Sequence, residues 1–122
     1  MPEKIIYLES LATNGGENSR FSLDKIVEEN LSHEEIILLS HATSLRRLDA
    51  VMKFTAKEKG FESRFQRAGT DYFFNPNNLL DQKESIAELL RIADWPAKGW
   101  CVPQDDLPED LVQYARDIKD LF

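Results

Sequence analysis

The fold is decided by residues 31–74, which read LSHEEIILLSHATSLRRLDAVMKFTAKEKGFESRFQRAGTDYFF. Four consecutive apolar residues at 36–39 precede a long amphipathic segment that stops at Gly60, and two aromatic-rich alternating runs follow. This order predicts a buried strand, a crossover helix and a hairpin.

The helix from 45 to 59 is the most strongly specified element. Ser44 is a suitable N-cap residue, and Gly60 occupies the position at which a left-handed C-terminal cap is expected. Apolar residues recur at three- and four-residue spacing and form one stripe along it: Leu45, Leu48, Met52 and Ala56.

Residues 33–40 allow two interpretations. Ser32 with Glu35, preceded by Leu31, has the form of a capping box with a hydrophobic staple, which predicts a helix. The continuous apolar run at 36–39 predicts a buried strand. We choose the strand, because it completes a strand–helix–strand unit. A helix here would instead make the chain a winged helix, with Arg46, Arg47 and Lys53 on the recognition-like helix.

The flanking segments complete an α+β fold. We predict a strand at 4–8, a turn at 13–16, a helix over about 22–30 that Ser22 caps, and a hairpin. The hairpin strands are 61–66 and 72–74, around a turn at 68–71. Two more helices follow. The first runs from Asp81 to about Trp95, and the last begins at Asp106 and has an apolar stripe of Leu111, Ala115, Ile118 and Phe122.

The predicted architecture is thus a two-layer sandwich in one domain, 1–122. Residues 4–75 form a β-α-β-α-β-β core, and residues 79–122 form two extra helices packed on it. The 122 residues carry a net charge of −7 and a single cysteine, so no intramolecular disulfide forms. We expect a cytoplasmic protein, because the sequence shows neither a signal peptide nor a run long enough to span a membrane.

The order of elements in residues 4–75 resembles the fold of the TusA/SirA-type sulfur-carrier proteins. The resemblance rests on Ile36–Ser40, on the helix that ends at Gly60, and on the following Phe61-Glu62 and hairpin. It implies a two-layer fold but no activity, because the family's cysteine–proline pair is replaced here by Glu9–Thr13. Its acidic residue–proline pair is likewise replaced by Ser40–Thr43. Persulfide transfer needs a thiolate, and no hydroxyl substitutes for it.

No group of residues predicts catalysis, a metal site or a cofactor. His33 and His41 are the only histidines, and they lack any standard ligand spacing. Ser40-His41 is adjacent in sequence, but no nucleophile elbow accompanies it. Cys101 lies between Trp100 and Val102, where we expect an inert, buried thiol.

Two sets of residues are candidates for binding. Positive charge is concentrated between 46 and 67, where seven basic residues face three acidic ones. The nucleic-acid-binding candidates among them are Arg46, Arg47, Lys53, Lys57, Arg64 and Arg67. Aromatic residues expected at the surface form the second set, the partner-binding candidates Phe54, Trp95 and Trp100.

We therefore expect a small acidic regulatory or adaptor protein that acts by binding another protein without catalysis. The alternative is a regulator that binds DNA or RNA through the basic segment 46–67. Neither interpretation involves a membrane.

Overall fold

The computed structural model describes residues 6–70 and 75–121, and it has the predicted α+β class. In chain order its elements are α1 (Gly15–Glu28), β1 (Glu35–Ser40), α2 (Ala42–Glu58), β2 (Arg64–Gly69), α3 (Leu79–Asp94), a 3-10 turn (Trp95–Lys98) and α4 (Glu109–Lys119). Within this part of the chain, no helix is both long and apolar enough to cross a membrane.

The sheet among these residues consists of β1 and β2, which run parallel with Ile36 opposite Phe65 and Ser40 opposite Gly69. Helix α2 connects the two strands, as a parallel pair requires. The strand predicted at 36–39 is confirmed. The winged-helix alternative is wrong on this point, because it needs a helix where β1 lies.

The main core lies between α1, α2 and the inner face of the sheet. Its buried side chains are Leu23, Leu38, Leu45, Met52 and Ala56. The predicted α2 stripe is confirmed, with Leu48 half-buried beside it. Phe61 and Phe65 also pack on this core, as their alternation predicted.

The first two helices begin earlier than predicted. Helix α1 begins at Gly15 instead of 22, because the Asn14 side chain accepts a hydrogen bond from the Glu17 N–H at 2.9 Å and caps the helix. The Glu17 carboxylate in turn accepts from the N–H and hydroxyl of Thr13. Helix α2 begins at Ala42, so Ser44 lies in its first turn and donates to the His41 carbonyl.

The strands around this core differ from the predicted six-element sandwich. Residues 6–8 form no strand, and residues 4–5 lie outside the described residues. Strand β2 runs through Ala68 and Gly69, where a turn was predicted. The parallel ladder continues to its end, with the Thr70 N–H donating to the Ser40 carbonyl at 3.0 Å. The predicted return strand at 72–74 lies outside the described residues.

The C-terminal helices extend the structure from α2, since α3 contacts α2 and α4 contacts α3. Asn78, not Asp81, caps α3, and α3 ends at Asp94, close to the predicted end. Helix α4 begins at Glu109 instead of 106. Its inner stripe contains Ala115 and half-buried Ile118, but Val112 takes the inner place predicted for Leu111, which is exposed. Phe122 lies outside the described residues.

Candidate functional site

A cavity of about 630 Å³ lies between the first turns of α1, the C-terminal half of α2 and the loop after α3. Phe54 lines it from α2, and Trp95 and Trp100 line it from the loop. The structure therefore brings together all three partner-binding candidates, although Phe54 lies far from the two tryptophans in the sequence. Phe54 is half-buried in this wall and does not stand free on the helix surface.

The two tryptophans of this wall contact each other directly. Their rings pack edge to face, with centroids 5.5 Å apart and an angle of 77° between the planes. The short 3-10 turn between them ends at Gly99, whose φ of 72° is left-handed. The Trp100 N–H then donates to the Trp95 carbonyl at 3.2 Å. The loop thus holds both rings in a fixed relative orientation.

The tryptophan loop is also anchored on α2. Cys101 is buried against Ala50 and Val51, and the Val102 N–H donates to the Ala50 carbonyl at 3.2 Å. Burial raises the pKa of the Cys101 thiol, which keeps it protonated and apolar. Cys101 therefore serves as packing beneath the cavity wall, and its predicted burial is confirmed.

A cation lies over each tryptophan. The Arg47 guanidinium is 5.6 Å from the Trp95 ring centroid, and the Lys98 ammonium is 4.7 Å from that of Trp100. Arg47 also donates from Nε to Oε2 of buried Glu88 at 2.6 Å. Arg91 donates to the other oxygen of Glu88 at 3.0 Å. This network connects the Trp95 ring to α3 as well as α2.

The first turn of α1 contributes a side of the cavity that consists largely of backbone. Gly15 and Gly16 both line it, together with Asn14. A Cβ atom on Gly15 would lie 3.3 Å from Nη1 of Arg47, a tight contact that would displace the guanidinium. The Gly-Gly pair therefore allows Arg47 to approach α1 and leaves room in the cavity.

Two charged side chains at the cavity, Arg20 and Glu58, have no hydrogen-bond or ion-pair partner among the described residues. They leave one donor and one acceptor group available to a bound molecule. The arrangement as a whole can accept an apolar or aromatic group against the rings and pair polar groups at the rim.

The basic candidates are mostly engaged with carboxylates. Five of the six form ion pairs within the protein: Arg46 with Asp106, Arg47 with Glu88, Lys53 and Arg67 with Asp49, and Arg64 with Glu35. Lys57 is exposed and forms no ion pair with the described residues. The positive charge that is concentrated in the sequence is thus largely neutralised in the fold.

The histidines lie near opposite ends of β1. His33 Nδ1 is 3.2 Å from the Ser63 hydroxyl, and His41 Nδ1 is 3.1 Å from that of Thr70. No group of three or more metal-ligating side chains occurs in residues 6–70 and 75–121. Neither histidine lines the cavity.

Sequence reasoning missed the α1 side of the cavity, although a local signal existed. Asn14, with Glu17 three residues later, is a pattern typical of a helix N-terminus. The two glycines between them are weak helix formers, so this stretch was predicted to be a turn. Arg20 and Glu58 carry no comparable signal, because only the packing of α1 beside α2 brings them to one cavity.

Comparisons with protein-family models, curated proteins and solved structures found no match. The resemblance to the sulfur-carrier fold therefore stays a prediction.

Proposed function

We propose that this is a non-catalytic regulatory or adaptor protein, which binds another protein by taking one of its side chains into the cavity. The observation that carries the proposal is the meeting of Phe54, Trp95 and Trp100 in one cavity of about 630 Å³. Binding hot spots typically pair a buried aromatic or arginine anchor with a pocket that excludes water around it.

The physical properties of the cavity favour an aromatic or long apolar anchor. Its aromatic walls offer large contact areas and edge or face packing to an incoming ring. The walls are already held by Cys101 packing and by the Arg47–Glu88 pair, so little conformational freedom is lost on binding. Arg20 and Glu58, which form no ion pair with the described residues, then provide polar contacts at the rim for the partner's backbone or flanking side chains.

The charge of the protein favours a basic partner. The chain carries a net charge of −7, so the protein as a whole attracts basic proteins and repels acidic ones. Such complementarity raises the rate of association and the specificity more than the affinity. We therefore expect association that slows as the salt concentration rises.

Site-specific photocrosslinking in cells tests this proposal. A photoreactive phenylalanine analogue replaces Phe54 in one variant and Tyr114 in a matched control, because Tyr114 is exposed on α4 away from the cavity. We expect position 54, but not 114, to give one crosslinked protein that mass spectrometry identifies. The same partner, purified, should quench or shift tryptophan fluorescence on titration.

Affinity measurements with that purified partner complete the test. Trp100→Ala should weaken binding by about tenfold or more, as expected for loss of an interface aromatic, while Tyr114→Ala should leave it unchanged. Equal affinity of both variants, or identical crosslinks from positions 54 and 114, would contradict the proposal.

Nucleic-acid binding through residues 46–67 is the less favoured proposal. Phosphate contacts would have to replace the internal ion pairs of Arg46, Arg47 and Arg67, and the latter two pair with buried carboxylates. Among the six candidates, Lys57 forms no ion pair with the described residues, and Arg64 is largely exposed with an ion pair of 3.8 Å to Glu35. Salt-dependent binding to DNA or RNA that is lost in the triple variant Arg46/Lys53/Lys57→Glu would support it. Binding that the triple variant retains, or none at low salt, would contradict it.

A further inference from the structure

The outer face of the two-stranded sheet carries exposed apolar side chains. Side chains alternate along β1, so that Ile36 and Leu38 face α2 while Ile37 and Leu39 face outward. Ile37 is 64% exposed and Leu39 is 65% exposed. On β2 their register partners are Gln66 and Ala68.

Such exposure is unusual for a parallel sheet. Parallel strands normally have both faces covered, and a continuous apolar run such as that of β1 is typical of strands buried on both faces. Helix α2 covers the inner face here, and no helix among residues 6–70 and 75–121 packs on the outer one. The apolar run in the sequence therefore indicates that something packs on the outer face.

The charges at one end of this face indicate what packs there. Glu35 and Arg64 are register partners on the two strands, and their charged groups are 3.8 Å apart. The Arg64 side chain is 79% exposed, so its guanidinium remains available. Glu35 also accepts a hydrogen bond from Gln66. The face thus has an apolar centre. At one end it carries a negative charge on β1, from Glu35, and a positive charge on β2, from Arg64.

We propose that the occupant is a second copy of this chain, packed face to face about a two-fold axis that runs parallel to the strands. Rotation by 180° about this axis keeps the direction of the strands but exchanges the positions of the two strands. As a result, β1 of each copy lies over β2 of the other. Glu35 then faces Arg64 of the second copy, and the reverse pair forms by symmetry. Ile37 and Leu39 of one copy lie over Gln66 and Ala68 of the other. The large apolar side chains thus pack on the flexible Gln66 side chain and the small Ala68 side chain. Aligned packing of two sheets about 10 Å apart accommodates this arrangement.

The interface is small, and the dimer is correspondingly weak. Two six-residue strands from each copy provide less area than a standard stable interface. We expect a dissociation constant on the order of 10–100 μM. The proposal is independent of the cavity, which the sheet face does not include.

Sedimentation velocity of the full chain, from about 1 μM to about 1 mM, tests the dimer. The wild type should shift from monomer to dimer across this range. Ile37→Lys should remain monomeric, whereas Val27→Lys, at an exposed apolar position on α1, should dimerise like the wild type. Circular dichroism establishes that both variants keep their secondary structure.

A charge exchange distinguishes pairing between copies from pairing within one. Glu35→Arg and Arg64→Glu each place like charges opposite each other in a homodimer, so each variant alone should dimerise at least about tenfold more weakly. Mixing the two variants should restore a heterodimer of wild-type affinity, although each chain still carries like charges internally. A wild type that stays monomeric, an Ile37→Lys variant that dimerises normally, or a mixture that fails to associate would each overturn the proposal.

Discussion

Arg67 Nη2 on β2 lies 2.6 Å from Asp49 Oδ2 in the middle of α2. Asp49 is buried, and the same oxygen also pairs with Lys53 Nζ at 3.0 Å, while Oδ1 has no hydrogen-bond partner among the described residues. A buried carboxylate is thus neutralised by two half-exposed cations from different elements. The pairing holds the second strand against the crossover helix that leads into it.

We expect Arg67→Ala to destabilise the protein by about 1–3 kcal/mol, because the buried Asp49 carboxylate loses its shorter charged hydrogen bond. The matched control is Arg64→Ala on the same strand, whose ion pair is longer and largely exposed. It should change the free energy of unfolding by less than about 0.5 kcal/mol. Urea unfolding at low micromolar protein concentration measures both, and equal effects would show that the Asp49 contact does not stabilise the fold.

Gly60 and Gly69 should respond differently to alanine. Gly60 follows α2 with a φ of 76°, so Gly60→Ala should cost about 1 kcal/mol of stability through backbone strain alone. Gly69 has no positive φ, and no atom of the described residues lies within 4 Å of an added Cβ atom. Gly69→Ala should therefore be neutral or stabilise by up to about 1 kcal/mol. Thermal unfolding of both variants measures the contrast, and an equal loss would contradict it.

The contact between α3 and α4 should depend on pH. Arg116 donates to both oxygens of Asp94, at 2.5 and 3.0 Å, and these hydrogen bonds hold the pKa of the Asp94 carboxyl below its ordinary value. A lowered pKa stabilises the fold above the unfolded value, near 3.9. This contribution is lost as the pH falls through the folded value.

We expect Asp94→Asn to lower the free energy of unfolding at pH 7 by about 0.5–1 kcal/mol, a size that reflects the partial exposure of the pair. The deficit should shrink as the pH falls below about 4. Urea unfolding as a function of pH measures it. Asp105→Asn, in the exposed loop before α4, is the control and should show no deficit. A deficit that does not change with pH would contradict this electrostatic explanation.

The Cys101 thiol should be protected in the folded protein. It is buried beneath the tryptophan loop with its pKa raised by burial, so alkylation should require local opening. We expect its reaction to be about 100-fold slower, or more, than that of an exposed thiol. Ser10→Cys in a Cys101→Ala background supplies the exposed reference. Equal rates would mean that the loop does not pack on α2, and the cavity wall would then not be preformed.

Local patterns predicted the centre of the fold correctly. The apolar run at 36–39 became β1, the three- and four-residue spacing became the buried stripe of α2, and Gly60 adopted the left-handed cap. The alternation of residues 61–66 correctly placed Phe61 and Phe65 on the core. These features depend on neighbouring residues, whose periodicity and backbone preferences the sequence contains directly.

The candidate site was predicted only in part. Phe54, Trp95 and Trp100 were identified as partner-binding candidates, but no local pattern relates a helix residue to a distant loop. Arg20 was missed because α1 was expected to start after it, whereas the Asn14 cap begins that helix earlier. The basic segment was expected to be free for binding, whereas the fold pairs most of it. Three of its carboxylate partners, Asp106, Glu88 and Glu35, lie outside the segment, and Asp49 lies within it.

By itself, the sequence determined the α+β class, the strand-to-helix unit around α2 and the end of that helix, because each follows from local periodicity and capping. Only the tertiary structure decided which charges remain unpaired and which aromatic residues share a cavity. The physical reason is that ion pairs such as Arg67–Asp49 and the meeting of Phe54 with Trp100 depend on distances across the fold, which spacing along the chain does not specify.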